Sequence, residues 1–156
     1  MLWEFITIFG SVTFWASAAV VALIFSFFIP EKSKKYVLWF VFLTLPAVLI
    51  SYTVTDTLKT FFKIPRPCYG ISNCPEDYSF PSNHATVVFA ATIALVLHYK
   101  DKRLGIILIT IAILTSISRI MLGLHRTEDI LVGSIVGMIV GILVQKAYKN
   151  YFNRSH

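Results

Sequence analysis

The chain has 156 residues, enough for one domain and too few for two of ordinary size. It is 56% hydrophobic and 14% charged, whereas about a quarter of the residues in a soluble domain are charged. A formal net charge of +6 would suit nucleic acid, but the positions of the charges described below argue against that partner. We therefore expect a small all-α polytopic membrane protein, with residues 1–156 as a single membrane-embedded domain.

Five apolar stretches approach or reach bilayer length, which is about 20 residues for a helix that rises 1.5 Å per residue. In chain order they cover residues 2–29, 36–57, 84–99, 104–122 and 128–147. The third stretch is short and can begin as a helix outside the hydrocarbon. The N-terminal sequence MLWEFITIF lacks the basic region of a signal peptide, so we expect the first span to be retained.

Nine of the fourteen Lys and Arg residues lie on alternate connections, hence on one side of the membrane. They are Lys32, Lys34, Lys35, Lys100, Lys102, Arg103, Lys146, Lys149 and Arg154. The positive-inside rule makes that side cytoplasmic. The N-terminus and the connections at about 58–83 and 119–127 then face outward, and the C-terminus faces inward. In a bacterial inner membrane the outward side is the periplasm.

The other five basic residues lie on the outward face, against this topological bias. They are Lys59, Lys63, Arg66, Arg119 and Arg126. Two histidines, His84 and His125, open spans on the same face. A single interfacial histidine is more often a hydrogen-bonded structural residue, but two among several cations favour a site. Lys and Arg concentrated at an interface favour an anion, and the planar guanidinium matches phosphate oxygens.

The segment PSNH (81–84) supplies a second anion-binding device. Ser82 or Asn83 is a good N-cap for the following helix. The first turn of a helix presents unpaired N–H groups at the positive end of its dipole, where a phosphate can bind. The alternative for this tetrapeptide is an ordinary capped helix start.

The segment SRIMLGLHRTEDILVG (118–133) supplies candidate chemistry. His125 and Asp129 are four residues apart, so on a helix they share a face. A carboxylate there can hold one ring nitrogen and leave the other free to attack. Arg119 reaches the same pocket if residues 123–125 form a tight connection. The alternative is an interfacial polar pair of His125 and Asp129.

Three segments carry a resemblance that none carries alone. They are KTFFKIPRP (59–67), PSNH (81–84) and residues 118–129. In the last segment Ser-Arg is followed, after five residues, by His and, after three more, by Asp. In order and spacing they are similar to the three-part signature of the type 2 phosphatidic-acid phosphatase family. Members of that family are membrane lipid phosphatases related to vanadate-dependent haloperoxidases.

The resemblance implies a metal-free phosphatase without cofactors that forms a phosphohistidine. His125 would attack phosphorus, Asp129 would orient it, and His84 would protonate the leaving oxygen and then activate water. The residues that would hold the phosphoryl oxygens, through side chains and the amides at Ser82, are Lys59, Arg66, Ser82, Asn83 and Arg119. A metal triad of the two histidines and Asp129 is the alternative, but the surrounding cations would repel a divalent ion.

Two features depart from the family pattern. The second motif usually reads Pro-Ser-Gly-His, and Asn83 stands here in place of the glycine. Asn tolerates unusual backbone angles better than most residues, so we expect the turn to survive. Family members also commonly have six spans, whereas we count five, with the missing span before the first motif.

Both cysteines, Cys68 and Cys74, lie in the outward connection. In an oxidising periplasm a disulfide between them is expected, and it would brace the loop that leads from Arg66 to His84. Two free thiols are the alternative.

These observations together predict a lipid phosphatase with its site at the outer leaflet. Its substrate would be a phosphomonoester or diphosphate headgroup of a bilayer lipid. The resemblance implies lipid A 1-phosphate, undecaprenyl diphosphate, phosphatidylglycerol phosphate or phosphatidate, and the small chain slightly favours lipid A 1-phosphate. A non-enzymatic anion or phospholipid carrier would use the same basic pocket and is the alternative. Lys63, Arg126 and Glu128 lie beside the motifs and are given no role in the site.

Overall fold

The computed structural model describes residues 1–72 and 74–154, the last two of these by their backbone alone. The described part is all-helical, as predicted, and has one long loop at 63–82. Its helices are α1 (Leu2–Thr7), α2 (Val12–Ser26), α3 (Glu31–Phe62), α4 (Asn83–Tyr99), α5 (Lys102–Met121) and α6 (Thr127–Arg154). A 3₁₀ turn, Ile8–Gly10, separates α1 from α2.

The first predicted span, 2–29, does not form one continuous helix. Its two halves, Leu2–Gly10 and Val12–Ser26, are bent by 68° relative to each other. Ser11 is extended between them, and its hydroxyl accepts a hydrogen bond from the Phe14 amide, which starts α2. Gly10 packs so closely on α4 that a Cβ there would lie 2.7 Å from the Cβ of His84. Hydropathy does not report such a tertiary contact, so the sequence did not reveal the break.

Three helices in the described part are long and apolar enough to cross a membrane: Glu31–Phe62, Lys102–Met121 and Thr127–Phe152. The bent pair α1–α2 adds a fourth if it counts as one span. The helix α4 has only 17 residues, but α3, α5 and α6 all pack against it and bury most of its side chains. The total of five spans therefore stays a prediction.

The bundle has an apolar exterior and a partly polar interior. Large apolar side chains such as Ile106 and Leu143 are exposed on its outer surface, whereas Thr55 and Thr92 are buried inside. Buried hydroxyls such as that of Thr55 donate to a backbone carbonyl one turn earlier in the same helix, here Ser51. This distribution suits a protein whose solvent is lipid, and the chain is a membrane protein.

Helices α4 and α6 form the closest helix pair of the bundle. Gly133, Gly137 and Gly141 are spaced by four residues and lie on one face of α6, directly against α4. A Cβ at Gly133 would lie 2.8 Å from the Ser82 carbonyl oxygen, and one at Gly141 would lie 2.6 Å from that of Ala90. Small residues allow this approach between helix backbones. The contact sets the position of the N-terminus of α6 relative to that of α4.

Consecutive long helices run antiparallel, so their ends form two groups. One group contains the C-termini of α3 and α5 and the N-termini of α2, α4 and α6, and it carries all three sequence motifs. The other group carries the basic connections, and there His98 packs edge-on against Trp39 and Tyr148. The side chain of Arg154, one of the nine cations predicted to be cytoplasmic, lies outside the described part.

Candidate active site

A cavity of about 340 Å³ lies at the motif-bearing end of the bundle. Five of the predicted site residues line it: Arg66, Asn83, His84, Arg119 and His125. They come from the long loop, α4, α5 and the α5–α6 connection, so four separate parts of the chain meet here. The other lining residues include Gly10 and Thr13 from the bend and Tyr52 from α3.

The His125–Asp129 pair forms at the start of α6. The Nδ1 atom of His125 lies 3.4 Å from the Oδ2 atom of Asp129, longer than an ordinary hydrogen bond. Both side chains are almost fully buried. The same Oδ2 atom accepts hydrogen bonds from the Arg126 amide, at 2.9 Å, and from the Ser79 hydroxyl. Asp129 is thus held by two donors beside the ring that the sequence pattern predicted it to orient.

Arg66 determines the tautomer of His125. Its Nη1 atom lies 3.0 Å from the Nε2 atom of His125, and it also donates to the Leu124 carbonyl at 3.0 Å. Because a guanidinium can only donate, Nε2 must be the acceptor. The ring proton of neutral His125 is therefore on Nδ1, facing Asp129, and Nε2 carries the lone pair on the Arg66 side.

The environment of His125 strongly favours its neutral form. Burial lowers the pKa of the imidazole, while the hydrogen-bonding interaction with Asp129 raises it. The positive charges of Arg66, Arg119 and Lys59 lower it further, and the resulting pKa is about 4. His125 is thus an unprotonated nitrogen base at neutral pH.

Lys59 and Arg66 do not meet each other directly; an aspartate bridges them. Lys59 donates to the Oδ2 atom of Asp77 at 2.6 Å, and the Nη2 atom of Arg66 donates to Oδ1 at 2.6 Å. Lys59 also donates to the Tyr78 carbonyl. Lys59 is only 2% exposed, so the carboxylate serves as the counterion of a nearly buried ammonium.

Asp77 and Ser79 were both missed in the sequence analysis. They lie in the segment PEDYSF, immediately before the PSNH motif. The available signal was an acidic pair, Glu76 and Asp77, on a face otherwise rich in cations. The Ser79 amide donates to the Ile64 carbonyl at 2.8 Å, which ties the end of the loop back to its beginning.

The start of α4 differs in two ways from expectation. The Ser82 amide, predicted to be available for phosphate, donates instead to the Asp129 carbonyl at 3.0 Å. Ser82 is the N-cap residue, yet its hydroxyl makes no capping bond and is buried without a hydrogen-bond partner among the described residues. Asn83 has no left-handed backbone, so the position does not require the freedom of the usual glycine. Within the described part of the chain, its side-chain Oδ1 atom is also buried without a partner.

Arg119 connects the site to the N-terminal segment. Its Nη1 atom donates to the Thr7 hydroxyl at 2.8 Å, whereas its Nε atom is buried and has no partner among the residues that the structure describes. Neither Thr7 nor Gly10 carries a recognisable signal in the sequence. Their part in the site depends on the bend between α1 and α2, which brings this segment over α4 and α5.

The residues without a predicted role lie outside the cavity. Lys63 ends α3 in a left-handed conformation and is exposed. Arg126 lies just before α6 and Glu128 lies in its first turn, and both are exposed. Cys68 and Cys74 are joined by a disulfide within the long loop, in a segment that precedes Asp77.

The arrangement combines an anion pocket with two nitrogen bases. Cationic donors from Arg66 and Arg119 face the same cavity as a neutral His125 and a second histidine, His84. Two buried atoms, the Ser82 hydroxyl and Arg119 Nε, retain donors that nothing in the described structure uses. Donors of this kind beside cationic side chains suit an anionic ligand.

Comparison with known proteins identifies a matching family and several similar proteins. Residues 46–153 match the model of the PAP2 superfamily. The chain is 30% identical over 130 residues to undecaprenyl-diphosphatase BcrC of Bacillus subtilis, covering 80% of this chain and 64% of that protein. It is 28% identical over 145 residues to an undecaprenyl-diphosphatase of Sulfolobus acidocaldarius, covering 91% of this chain and 67% of that protein. The chain therefore spans about two thirds of the length of these relatives.

The fold also matches a solved structure. The first transmembrane PAP2-type phosphatidylglycerolphosphate phosphatase from Bacillus subtilis superposes with a TM-score of 0.77 at 25% sequence identity. The match covers 96% of this chain and 76% of that one.

Proposed function

Since the chain belongs to the PAP2 superfamily, we propose that it is a metal-independent lipid phosphatase that works through a phosphohistidine. The observation that carries this proposal is the buried His125, which is neutral, has its lone pair on Nε2 and lines a cavity rich in cations. A neutral imidazole with its other nitrogen held by a carboxylate is a competent nucleophile.

The proposed first step is attack by the Nε2 lone pair of His125 on phosphorus. A P–N bond forms while the bond from phosphorus to the lipid-side oxygen breaks, and the ring becomes positively charged. Asp129, held by Ser79 and the Arg126 amide, stabilises that charge through the Nδ1 proton. The gap of 3.4 Å between Nδ1 and Asp129 is expected to shorten as the charge develops.

His84 is assigned to proton transfer because it lines the same cavity. In its protonated form it gives a proton to the departing oxygen. In the second step it takes a proton from water, which attacks phosphorus and breaks the P–N bond. His125 is thereby restored and inorganic phosphate leaves.

The phosphoryl oxygens are assigned to cationic and hydroxyl donors around the cavity. Arg119 and Ser82 each have an unused donor for them. Arg66 and Asn83 line the same cavity, and Lys59 is joined to Arg66 through Asp77. Donors preorganised around a transferring phosphoryl group stabilise the charge that spreads over its oxygens in the transition state.

The proposed substrate is a lipid that keeps its chain in the bilayer. Tyr52 lines the cavity and is also exposed on the outer surface of α3, which supports entry of the headgroup from the lipid side. We place undecaprenyl diphosphate first because two relatives are named for that activity, whereas the sequence alone had favoured lipid A 1-phosphate. Phosphatidylglycerol phosphate and phosphatidate remain candidates. The basic connections lie at the end of the bundle opposite the motifs. By the positive-inside rule, this supports a periplasmic site in a bacterial inner membrane.

The test is phosphate release from these four lipids in detergent with EDTA. Wild type is compared with His125→Ala, His84→Ala and the matched control His98→Ala, which removes a histidine from the opposite end of the same helix α4. We expect release by wild type and His98→Ala in the presence of chelator. Loss of the nucleophile should reduce the rate about a thousandfold or more, and loss of a general acid–base by roughly 10²–10⁴.

Two results would contradict the proposal. Equal release by wild type and His125→Ala would mean that His125 is not the nucleophile. No release from any lipid by wild type would favour the non-enzymatic carrier. The order of rates across the four lipids identifies the preferred headgroup.

A further inference from the structure

Asp77 and its neighbours use most of the donors on the two cations that the proposed function assigns to phosphate. Nε of Arg66 donates to its Oδ1 atom at 3.0 Å and to its carbonyl at 3.2 Å, and Nη2 donates to Oδ1 at 2.6 Å. Both protons of Nη1 are taken by Leu124 and His125. A guanidinium has five N–H donors, so only the second proton of Nη2 remains. A phosphoryl group cannot bind Arg66 in two places while Asp77 stays.

Lys59 is occupied in the same way. One of its three ammonium protons goes to Asp77 Oδ2 at 2.6 Å and another to the Tyr78 carbonyl. At 2% exposure the ammonium has little access to water. An incoming phosphate would therefore compete with the Asp77 carboxylate for Lys59. The phosphate and the carboxylate would also repel each other, because both are negatively charged.

The same contact also blocks the nucleophile. Asp77 holds the guanidinium where its Nη1 atom donates to Nε2 of His125, the nitrogen that carries the lone pair. A lone pair engaged by a donor cannot attack phosphorus. Attack therefore requires Arg66 to turn away from His125, and turning it requires Asp77 to release it.

We propose that Asp77 is an intramolecular anion that occupies the phosphate site in the resting protein and is displaced by the phosphoryl group of the substrate. This inference rests on the proposed function, because it takes Lys59 and Arg66 as phosphate ligands. The resting state is self-inhibited, and substrate binding both neutralises the two cations and uncovers His125.

Two hydrogen bonds anchor the loop backbone beside Asp77 independently of the Arg66 guanidinium. Lys59 donates to the Tyr78 carbonyl, and the Ser79 amide donates to the Ile64 carbonyl. The Asp77 side chain is 48% exposed, so it can turn into water without unfolding the loop.

Asp77 is charged at neutral pH, as the exchange requires. Partial burial alone would raise the pKa of its carboxyl. Hydrogen bonds from Lys59 and Arg66, together with their charges, outweigh that cost and hold the pKa below its ordinary value. Displacement is therefore a replacement of one anion by another.

The test measures the dissociation constant of inorganic phosphate by calorimetry on the purified protein in detergent. Asp77→Asn removes the competing charge and keeps the size of the side chain. Glu76→Gln is the matched control, since it removes the same charge from the neighbouring exposed position of the same loop. We expect Asp77→Asn to bind phosphate roughly tenfold more tightly than wild type, a usual size for coupling between two binding events, and Glu76→Gln to stay close to wild type.

Loss of the counterion of buried Lys59 can destabilise the unliganded variant, so Asp77→Asn is purified with phosphate and then dialysed. Asp77→Glu, which retains the charge, is the second variant and should keep the weaker binding of wild type. Weaker binding by Asp77→Asn, or binding equal to that of Glu76→Gln, would overturn the inference and leave the phosphatase proposal standing. If wild type binds no phosphate and releases none from lipid, both proposals are wrong.

Discussion

At the scale of single residues, the site depends on which groups donate to which. Arg66 can only donate, so its contact with His125 places the lone pair on Nε2 and the proton on Nδ1. Ser79 and the Arg126 amide hold Asp129 for that proton. Asp77 in turn holds Arg66. The reactivity of His125 thus depends on three charged residues, Arg66, Asp77 and Asp129, that are linked by these contacts.

These contacts predict the protonation state of His125. Burial and three nearby cations outweigh Asp129 and place the pKa at about 4, below the 6.5 of a free imidazole. The folded protein therefore binds this proton only well below pH 6.5, and the neutral base persists as the pH falls through 6. We expect the ring nitrogens of His125 to report a neutral imidazole at pH 5.5 in ¹⁵N NMR of histidine-labelled protein.

The signal of His125 is identified by its loss in His125→Ala. The measurement is made on the protein alone, so ionisation of the substrate phosphate does not interfere. A titration midpoint of His125 near pH 6.5 would show that the nearby cations do not lower the pKa of this ring as the geometry indicates.

At the scale of helices, glycines decide how closely the elements that carry the site approach each other. Gly10 lets the α1–α2 bend rest on His84, and a Cβ there would also lie 2.9 Å from Thr115. The glycines of α6 place its backbone against the carbonyls of α4. Because the Ser82 amide donates to the Asp129 carbonyl, this contact also joins the second and third motifs directly.

Adding a methyl group to the α4–α6 contact should separate the two helices. We expect Gly141→Ala to lower the free energy of unfolding by about 1–3 kcal/mol, because its Cβ would lie 2.6 Å from the Ala90 carbonyl oxygen. Gly105→Ala is the matched control on α5, where the nearest atom, in Val96, would be 3.5 Å away. That variant should be neutral or gain up to about 1 kcal/mol from helix propensity.

Thermal denaturation in detergent compares the two variants with wild type. Equal midpoints for Gly141→Ala and Gly105→Ala would mean that α4 and α6 can move apart without cost, contrary to this account of their packing.

At the scale of the whole molecule, the two ends of the bundle differ in charge. The motif-bearing end combines its cations with Asp77 and Asp129, whereas Lys32, Lys100 and Lys102 lie at the other end. From the positive-inside rule we propose that the second end lies in the cytoplasm. The substrate would then be a lipid of the outer leaflet.

Single cysteines test this orientation. In a Cys68→Ser, Cys74→Ser background, we introduce Glu76→Cys at the site end or Lys102→Cys at the far end, both exposed positions. A membrane-impermeant maleimide added to spheroplasts should label the first and not the second, and both should be labelled after lysis. The reverse pattern would place the site in the cytoplasm.

The chemical groups, their order and their approximate helices can be predicted from the sequence. Hydropathy reports local composition, so the apolar stretches predicted at 84–99 and 104–122 match α4 and α5 to within a few residues, whereas α3 and α6 extend beyond the predicted stretches. Motif spacing predicted which cations and histidines share one end of the bundle, and the structure brings four of them, Arg66, His84, Arg119 and His125, to one cavity.

The pairing of these groups depends on tertiary contacts. The bend at Gly10, the bridge of Asp77 between Lys59 and Arg66, and the bond from Ser82 to Asp129 all join residues that are distant in the chain. Their formation depends on the closeness of helix backbones and on which donor reaches which acceptor in space. Neither quantity is encoded in the composition or period of a single segment, because each is a property of two segments packed together.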